Sequence, residues 1–124
     1  MKKEIAMEWA DALESGKYKQ GHSYLCRDDR FCCLGVLAEL ATEKNICKKT
    51  TKDDIVHYDG NGGLLPTSVN IWAEIRASSP RVLIDGFINS QPLVALNDSM
   101  GKTFPEIAKL IREQYEQLWK KKFY

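Results

Sequence analysis

The stretch SYLCRDDRFCCLGVLAEL, residues 23–40, contains the pattern that decides the fold. Two short segments, SYLC and RFCC, flank Asp28-Asp29, a pair typical of tight turns, and together they predict a β-hairpin. The second strand continues directly into LGVLAEL, whose apolar spacing predicts a short buried helix. Gly35 lies inside that helix and costs about 1 kcal/mol relative to alanine. We therefore expect another backbone to pack closely against Gly35.

Further helices are predicted before and after this stretch. In the N-terminal segment, apolar residues recur at helical spacing up to Ser15, and Gly16 follows as a C-terminal cap. Pro66 opens a second candidate helix, PTSVNIWAEIRA, which the Ser-Ser-Pro sequence at 78–80 ends. Another proline-initiated helix lies in SQPLVALNDSMG, residues 90–101. These helices are all short.

The last predicted helix has the clearest signal. Thr103 and Glu106 form an S/T-x-x-E capping box, which marks a helix start. Apolar spacing continues from Phe104 to Trp119, so we expect the helix to extend that far. The lysines near its C-terminal end complement the helix dipole.

The remaining segments predict a small sheet. Residues 42–54, TEKNICKKTTKDD, are polar and predict a surface loop. The stretch IVHYDGNGGLLP, residues 55–66, predicts a strand, a glycine-rich turn at Asn61-Gly62-Gly63 and a short return strand. The fold class is therefore α+β, with four or five short helices packed on a small antiparallel sheet. We expect a single domain over residues 1–124.

The charge balance narrows the classes of partner. Eighteen basic and 17 acidic residues give a formal net charge of +1, which argues against a long nucleic acid or an anionic membrane. No apolar run approaches the ~20 residues of a membrane span, and acidic residues interrupt the N-terminal segment where a signal peptide would be apolar. We therefore expect a cytoplasmic protein with reduced cysteines. Because the chain is small, a homo-oligomer is expected.

Four segments together resemble a family of small, poorly characterised proteins encoded mainly by bacteriophages. They are WADALESGKYKQG (9–21), FCCLGVLAEL (31–40), LLP (64–66) and LVALNDSMGKTFPEIAKLI (93–111). The resemblance implies an accessory phage product that acts in the infected bacterial cell. Such products include sponges, which bind the cyclic nucleotide signals of anti-phage immunity without cleaving them. The resemblance brings no catalytic residues with it.

The cysteines and histidines allow an enzymatic alternative. Cys33 precedes a predicted helix, where a thiolate would be stabilised, and His57 follows later, as in papain-like amidases and peptidases. The structural interpretation is that Cys32 and Cys33 are small core residues. The cysteines lack a C-x₂-C spacing, so we expect no metal site, and no cofactor is expected.

Two segments carry the side chains that a cyclic dinucleotide or similar ligand requires. Phosphates favour Arg or Lys, bases stack on aromatic rings, and base edges favour Asn, Gln or Asp. The competing interpretation is structural, with a tyrosine packed on the core and Asn or Asp capping a helix. The candidate ligand-binding residues are Tyr18, Gln20, Tyr24, Arg27, Arg30, Asn97, Asp98 and Lys102.

The expected function is therefore immune evasion by a phage protein that sequesters a cyclic nucleotide and catalyses nothing. The amidase with Cys33 and His57 is one alternative. A protein–protein inhibitor of a host enzyme is another, because QLWKKKFY, residues 117–124, could form an exposed amphipathic surface.

Overall fold

The predicted hairpin and the helix behind it form the centre of the fold. The structure is a computed structural model that describes residues 1–76 and 79–118. It confirms the α+β class, with short helices packed on a small, mostly antiparallel sheet. The α-helices of the described residues are α1 (Lys3–Glu14), α2 (Cys33–Glu43), α3 (Thr67–Ala73), α4 (Leu93–Asp98) and α5 (Phe104–Gln114). The strands are β1 (Lys19–Gln20), β2 (Cys26–Arg27), β3 (Arg30–Phe31), β4 (Lys49–Lys52), β5 (Ile55–Tyr58), β6 (Arg81–Val82) and β7 (Gln91–Pro92).

The main sheet has five strands in the order β1-β3-β2-β5-β4. β1 runs parallel to β3, whereas the other neighbours are antiparallel. β6 and β7 form a separate two-stranded ribbon. α2 lies against one face of the main sheet, where the buried Tyr58 of β5 donates a hydrogen bond from its hydroxyl to Glu39 of α2 at 2.9 Å.

Local chemistry explains the hairpin. Asp28 and Asp29 have φ values of 51° and 59°, the left-handed conformation that a tight hairpin turn requires and that Asp tolerates. Cys26 pairs with Phe31 and Arg27 with Arg30, so the predicted hairpin forms, but each strand is only two residues long and the segments SYLC and RFCC are not strands over their whole length.

The expected close approach at Gly35 is confirmed. A Cβ atom built on this residue would collide with the carbonyl oxygen of Leu25. The glycine therefore lets α2 lie directly against the start of the hairpin, and every residue of α2 from Cys33 to Ala38 is buried.

α1 and α5 pack together, and α1 also packs against α2. Trp9 of α1 is fully buried with its indole N–H donating to the carbonyl of Cys33 at 2.9 Å. α1 ends at Glu14 with Gly16 at φ 77°, in agreement with the sequence. The capping box is present in full, because Thr103 accepts from the Glu106 amide and Glu106 accepts from the Thr103 amide. No helix in residues 1–76 and 79–118 has both the length and the apolar character of a membrane span.

Two sheet predictions are wrong. The segment at 42–54 is not all loop, because it contains β4, which pairs with β5 along its whole length. All four residues of β4 are exposed, so the strand has no apolar alternation that sequence reasoning could detect. The chain also turns earlier than predicted, at Asp59 and Gly60, and Tyr58 forms only an isolated bridge with Asn61 in place of a return strand.

Two helix ends also differ from the prediction. α3 ends at Ala73, before the Ser-Ser-Pro sequence, because Glu74 adopts a left-handed φ of 55° and the Ala73 carbonyl accepts from the Lys2 amide. α5 ends at Gln114, and a 3₁₀ turn follows at Tyr115–Leu118. The N-terminal ammonium of the chain donates to the carbonyl of Tyr115 at 3.2 Å, which satisfies this carbonyl outside the α-helical pattern. Trp119 and the lysines after it lie outside the described residues.

Candidate functional site

The two segments chosen from the sequence meet in the structure. The side-chain amide of Gln20, on β1, donates to Oδ1 of Asn97, on α4, at 2.8 Å and to the carbonyl oxygen of Lys102 at 2.8 Å. Gln20 and Asn97 are 77 positions apart in the chain, so this contact depends on the tertiary fold.

Asn97 joins three elements through four hydrogen bonds. Its Oδ1 accepts from Gln20 and from the amide of Cys33 at 3.2 Å. Its Nδ2 donates to the carbonyl of Gly21 and to Oδ1 of Asp98, both at 2.8 Å. Two donors and two acceptor positions are all that an asparagine side chain has. Because Asn97 is also fully buried, its amide is committed to the fold.

Tyr18 has a partly structural environment. Its half-buried ring meets Phe31 edge to face, with centroids 5.2 Å apart. The ammonium of Lys17 lies 5.4 Å from the Tyr18 ring centroid, and burial raises the pKa of the Tyr18 phenol. Asp98 is exposed at the end of α4, and Lys102 lies 3.8 Å from the carboxylate of Glu106.

The opposite face of the sheet carries a row of cations. Arg30 of β3 is directly opposite Lys19 of β1 on one side and Arg27 of β2 on the other. The row continues through Ile55 of β5 to Lys52 of β4. Residues directly opposite one another point to the same face, and neighbouring strands are about 4.8 Å apart. We call Lys19, Arg30 and Arg27, with Lys52 beyond Ile55, the cation row.

This face points away from the helical core. Each residue of the cation row is exposed. The neighbouring pair along β2 and β3, Cys26 and Phe31, points to the other face, where Cys26 is buried and Phe31 packs against the core. In the part of the chain that the structure describes, Lys19, Arg30 and Lys52 form no ion pair. Like charges directly opposite one another destabilise a sheet, so this row has an electrostatic cost.

Arg27 has two neighbours of its own. Its guanidinium carbon lies 5.4 Å from the ring centroid of half-buried Tyr24, and its Nε lies 3.9 Å from the carboxylate of Asp28. Both ion-pair partners are more than half exposed, so water screens this interaction.

Four carboxylates border the cation row along one side, because both turns are adjacent in sequence to residues of the row. Asp28 and Asp29 form the β2–β3 turn, and Asp53 and Asp54 form the β4–β5 turn. The two turns touch, because the amide of Asp28 donates to the carbonyl of Asp54 at 3.1 Å. Cations and carboxylates therefore lie side by side, and the attraction for anions is confined to a small area.

Sequence reasoning missed Lys19 and Lys52 as members of this face. Lys19 lies within the segment KYKQG, but its position next to Arg30 depends on the parallel β1–β3 register. Lys52 lies on the strand that the polar composition concealed. Conversely, Gln20 points to the inner face of the sheet, where it donates a hydrogen bond to the buried Asn97 of α4.

The cysteines have the surroundings of structural thiols. Cys33 is fully buried, its thiol faces the carbonyl of Leu93 at 3.6 Å, and burial raises its pKa well above the ordinary value. Burial also raises the pKa of Cys32 from 9.0 to about 11. A nucleophilic cysteine needs a lowered pKa, so these environments disfavour thiolate chemistry.

His57 is poorly placed to serve Cys33. It lies two residues after Ile55 on β5 and so shares the outward face, where its ring packs against Gly62. α2, which begins with Cys33, lies on the inner face. The sheet therefore separates the two side chains. Among the described residues, no group of three His, Cys, Asp or Glu side chains could hold a metal ion.

The fold and this surface define a small α+β protein whose sheet has one face packed on helices and one face carrying aligned cations. The chain belongs to the family described as "Domain of unknown function (DUF8296)", whose model matches residues 1–115. No curated protein and no solved structure matches the chain.

Proposed function

We propose that this protein binds a small phosphate-bearing nucleotide at the cation row and holds it without chemical change. The observation that carries the proposal is the alignment of exposed Lys19, Arg30 and Arg27 on three neighbouring strands. Arginine forks and lysine ammonium groups are the usual partners of phosphate oxygens. A bound phosphate would also remove the repulsion within the row, because it supplies the missing negative charge.

The carboxylates at the two turns favour a small ligand over a polymer. A long nucleic acid lying along the sheet would bring phosphates against Asp28, Asp29, Asp53 and Asp54. A compact nucleotide can place its phosphate on the arginines and direct the N–H groups of a base toward these carboxylates. The ring of Tyr24, next to Arg27, offers a surface on which a base can stack.

Within this class, the resemblance to bacteriophage-encoded proteins favours a cyclic nucleotide, including a cyclic dinucleotide. The protein would then act in the cytoplasm of an infected bacterium as a sponge for an immune signal. The mechanism is sequestration, in which binding lowers the concentration of free signal below the level that the host effector needs. The buried thiol of Cys33 and its separation from His57 support a binding protein over an amidase.

The test is a titration against mono-, di- and cyclic nucleotides, followed by recovery of the ligand. We expect one cyclic nucleotide to bind and to be released intact after heat denaturation. Arg30→Gln removes a charge-assisted contact and should weaken binding at least about tenfold. Lys3→Gln is the matched control, because Lys3 is exposed on α1, and it should leave affinity unchanged.

Two results would contradict the proposal. If no nucleotide binds at millimolar concentration, the cation row does not serve this class of ligand. If a nucleotide binds but is recovered hydrolysed, the protein is an enzyme and not a sponge.

A further inference from the structure

The outward face of α5 carries charges of alternating sign. Lys102, just before the helix, is followed at helical spacing by Glu106, Lys109 and Glu113, and we call these four residues the alternating stripe. The opposite face of α5 is buried in the core through Phe104, Ile107, Ala108 and Ile111. Within the stripe, Lys102 lies 3.8 Å from Glu106 and Lys109 lies 4.0 Å from Glu113. These exposed pairs contribute little to stability.

A groove of about 500 Å³ runs beside the stripe. Its other wall is formed by Leu83, Ile84 and Asp85. Gln114 holds this wall in place, because its side-chain amide donates to the carbonyl of Leu83 and accepts from the Leu83 amide, both at 2.7 Å. These two hydrogen bonds connect this wall of the groove to the end of α5.

The segment that forms this wall exposes large apolar side chains. Leu83 is 51% exposed, Phe87 is 49% exposed and Ile88 is 99% exposed. Leu83 lines the groove, and the other two follow it within the same short segment. Exposed large apolar side chains close together in this way are typical of protein–protein contacts.

We propose that the alternating stripe and its groove form the interface of a two-fold symmetric dimer, with the α5 helices of two copies packed antiparallel. If Glu106 lies opposite the partner's Lys109, the same two-fold axis places Lys102 opposite the partner's Glu113. Every charge of the stripe then faces an opposite charge. The stripe from residue 102 to residue 113 spans about 17 Å along the helix axis, long enough for a helix–helix contact.

The pattern selects a second copy over other partners. The stripe has two positive and two negative charges, so a polyanion or a uniformly charged protein would meet repulsion wherever it met attraction. The pattern also selects the register. A shift that places Glu106 opposite the partner's Glu113 would bring like charges together. The electrostatic pairs thus set the alignment, and the exposed side chains of Leu83 and its neighbours supply apolar contact area.

This proposal is independent of nucleotide binding, because the stripe and the cation row are different surfaces. It assigns Lys102, a candidate ligand residue in the sequence, to the contact between copies. The test is the molecular mass in solution by sedimentation velocity over a concentration series, starting from 14.1 kDa for one chain. We expect the mass to double as concentration rises.

A charge-swap series identifies the surface. Lys102→Glu alone places two glutamates opposite each other, and Glu113→Lys alone places two lysines opposite each other. Each should weaken dimerisation about tenfold. The double variant Lys102→Glu/Glu113→Lys restores opposite charges across the axis and should restore the dimer. An equimolar mixture of the two single variants should form a heterodimer.

The series separates contacts between copies from effects within α5. The swaps also place like charges at i,i+4 within one helix, but the double variant keeps that penalty while regaining the pairing between copies. Lys3→Glu, with the same change in net charge as Lys102→Glu, is the control for that variant and should leave dimerisation unchanged. A parent protein that stays monomeric would overturn the proposal. So would a dimer that the single variants leave intact, or a double variant that does not recover.

Discussion

Removing the Asn97 side chain tests the structural centre of the candidate site. In Asn97→Ala, the amide of Cys33 and the carbonyl of Gly21 each lose their side-chain partner in a buried environment. The Cys33 amide is in the first turn of α2, where backbone donors have no partner within the helix. Cys32, the N-cap residue, supplies no side-chain hydrogen bond, so Asn97 of α4 caps α2 from a distance.

The magnitude follows from these two groups. A buried donor or acceptor without a partner costs about 1–3 kcal/mol, so the substitution should lower the free energy of unfolding by about 2–6 kcal/mol. This is a large share of the roughly 5–15 kcal/mol of a typical domain. The Gln20 amide keeps its bond to the Lys102 carbonyl, and Asp98 is exposed, so these partners add little.

Urea unfolding is the appropriate assay. A loss of 3 kcal/mol with a slope of about 1.5 kcal/mol/M moves the midpoint down by about 2 M. Asp98→Ala is the matched control, because it removes an exposed partner of the same side chain and should cost under about 1 kcal/mol. If Asn97→Ala unfolds within 1 kcal/mol of the parent, Asn97 is not a structural residue, and its assignment to the fold would be refuted.

Three further predictions follow from burial. Gly35→Ala should destabilise the protein by more than about 3 kcal/mol, because its Cβ has no room beside the Leu25 carbonyl, and a thermal unfolding curve near that of the parent would contradict this. Cys33 should resist iodoacetamide at pH 7.5 in the native state and react only in urea, as mass spectrometry of the labelled peptide can show, whereas rapid native labelling would revive the amidase alternative. Stability should fall between about pH 9 and pH 11: burial raises the pKa of the Cys32 thiol from 9.0 to about 11, so in this window the unfolded chain releases a proton that the folded chain keeps. The Cys32 thiol accounts for about 2–3 kcal/mol of this fall, so Cys32→Ala should reduce the fall measured by urea unfolding by about that amount, while the buried Cys33 thiol, whose pKa is also raised, continues to contribute. An unchanged profile would count against the assignment.

The features that the sequence predicts correctly depend on neighbouring residues. Asp28 and Asp29 tolerate the left-handed turn, and Thr103 and Glu106 satisfy each other's amides, so the hairpin and the start of α5 can be recognised from a few residues. The close approach at Gly35 can be predicted because glycine destabilises a helix, so its presence in a buried helix indicates that a larger residue would not fit there.

The features that the sequence does not predict depend on distant pairing. All four residues of β4 are exposed, so the sequence of β4 carries no strand pattern, and the segment is a strand because it pairs with β5. Whether Asn97 caps its own helix or binds a ligand cannot be decided locally, since its partners Gln20 and Cys33 are 77 and 64 positions away. The segment that contains Tyr18, Gln20 and Arg30 contributes side chains to both faces of the sheet, and only the register assigns each one.

The short strand β1 contributes one side chain to each face of the sheet, Gln20 to the inner face and Lys19 to the outer face. Two residues cannot form a stable strand by their own backbone pairing, so β1 needs additional anchors. The inner-facing Gln20 binds Asn97 and the Lys102 carbonyl, and the amide of Gly21 donates to the Phe31 carbonyl at 2.7 Å. These bonds fix the outward-facing Lys19 beside Arg30. The buried amide network and the cation row therefore lie on the two faces of one strand pair, and the hydrogen bonds of the inner face keep the like charges of the outer face on neighbouring strands.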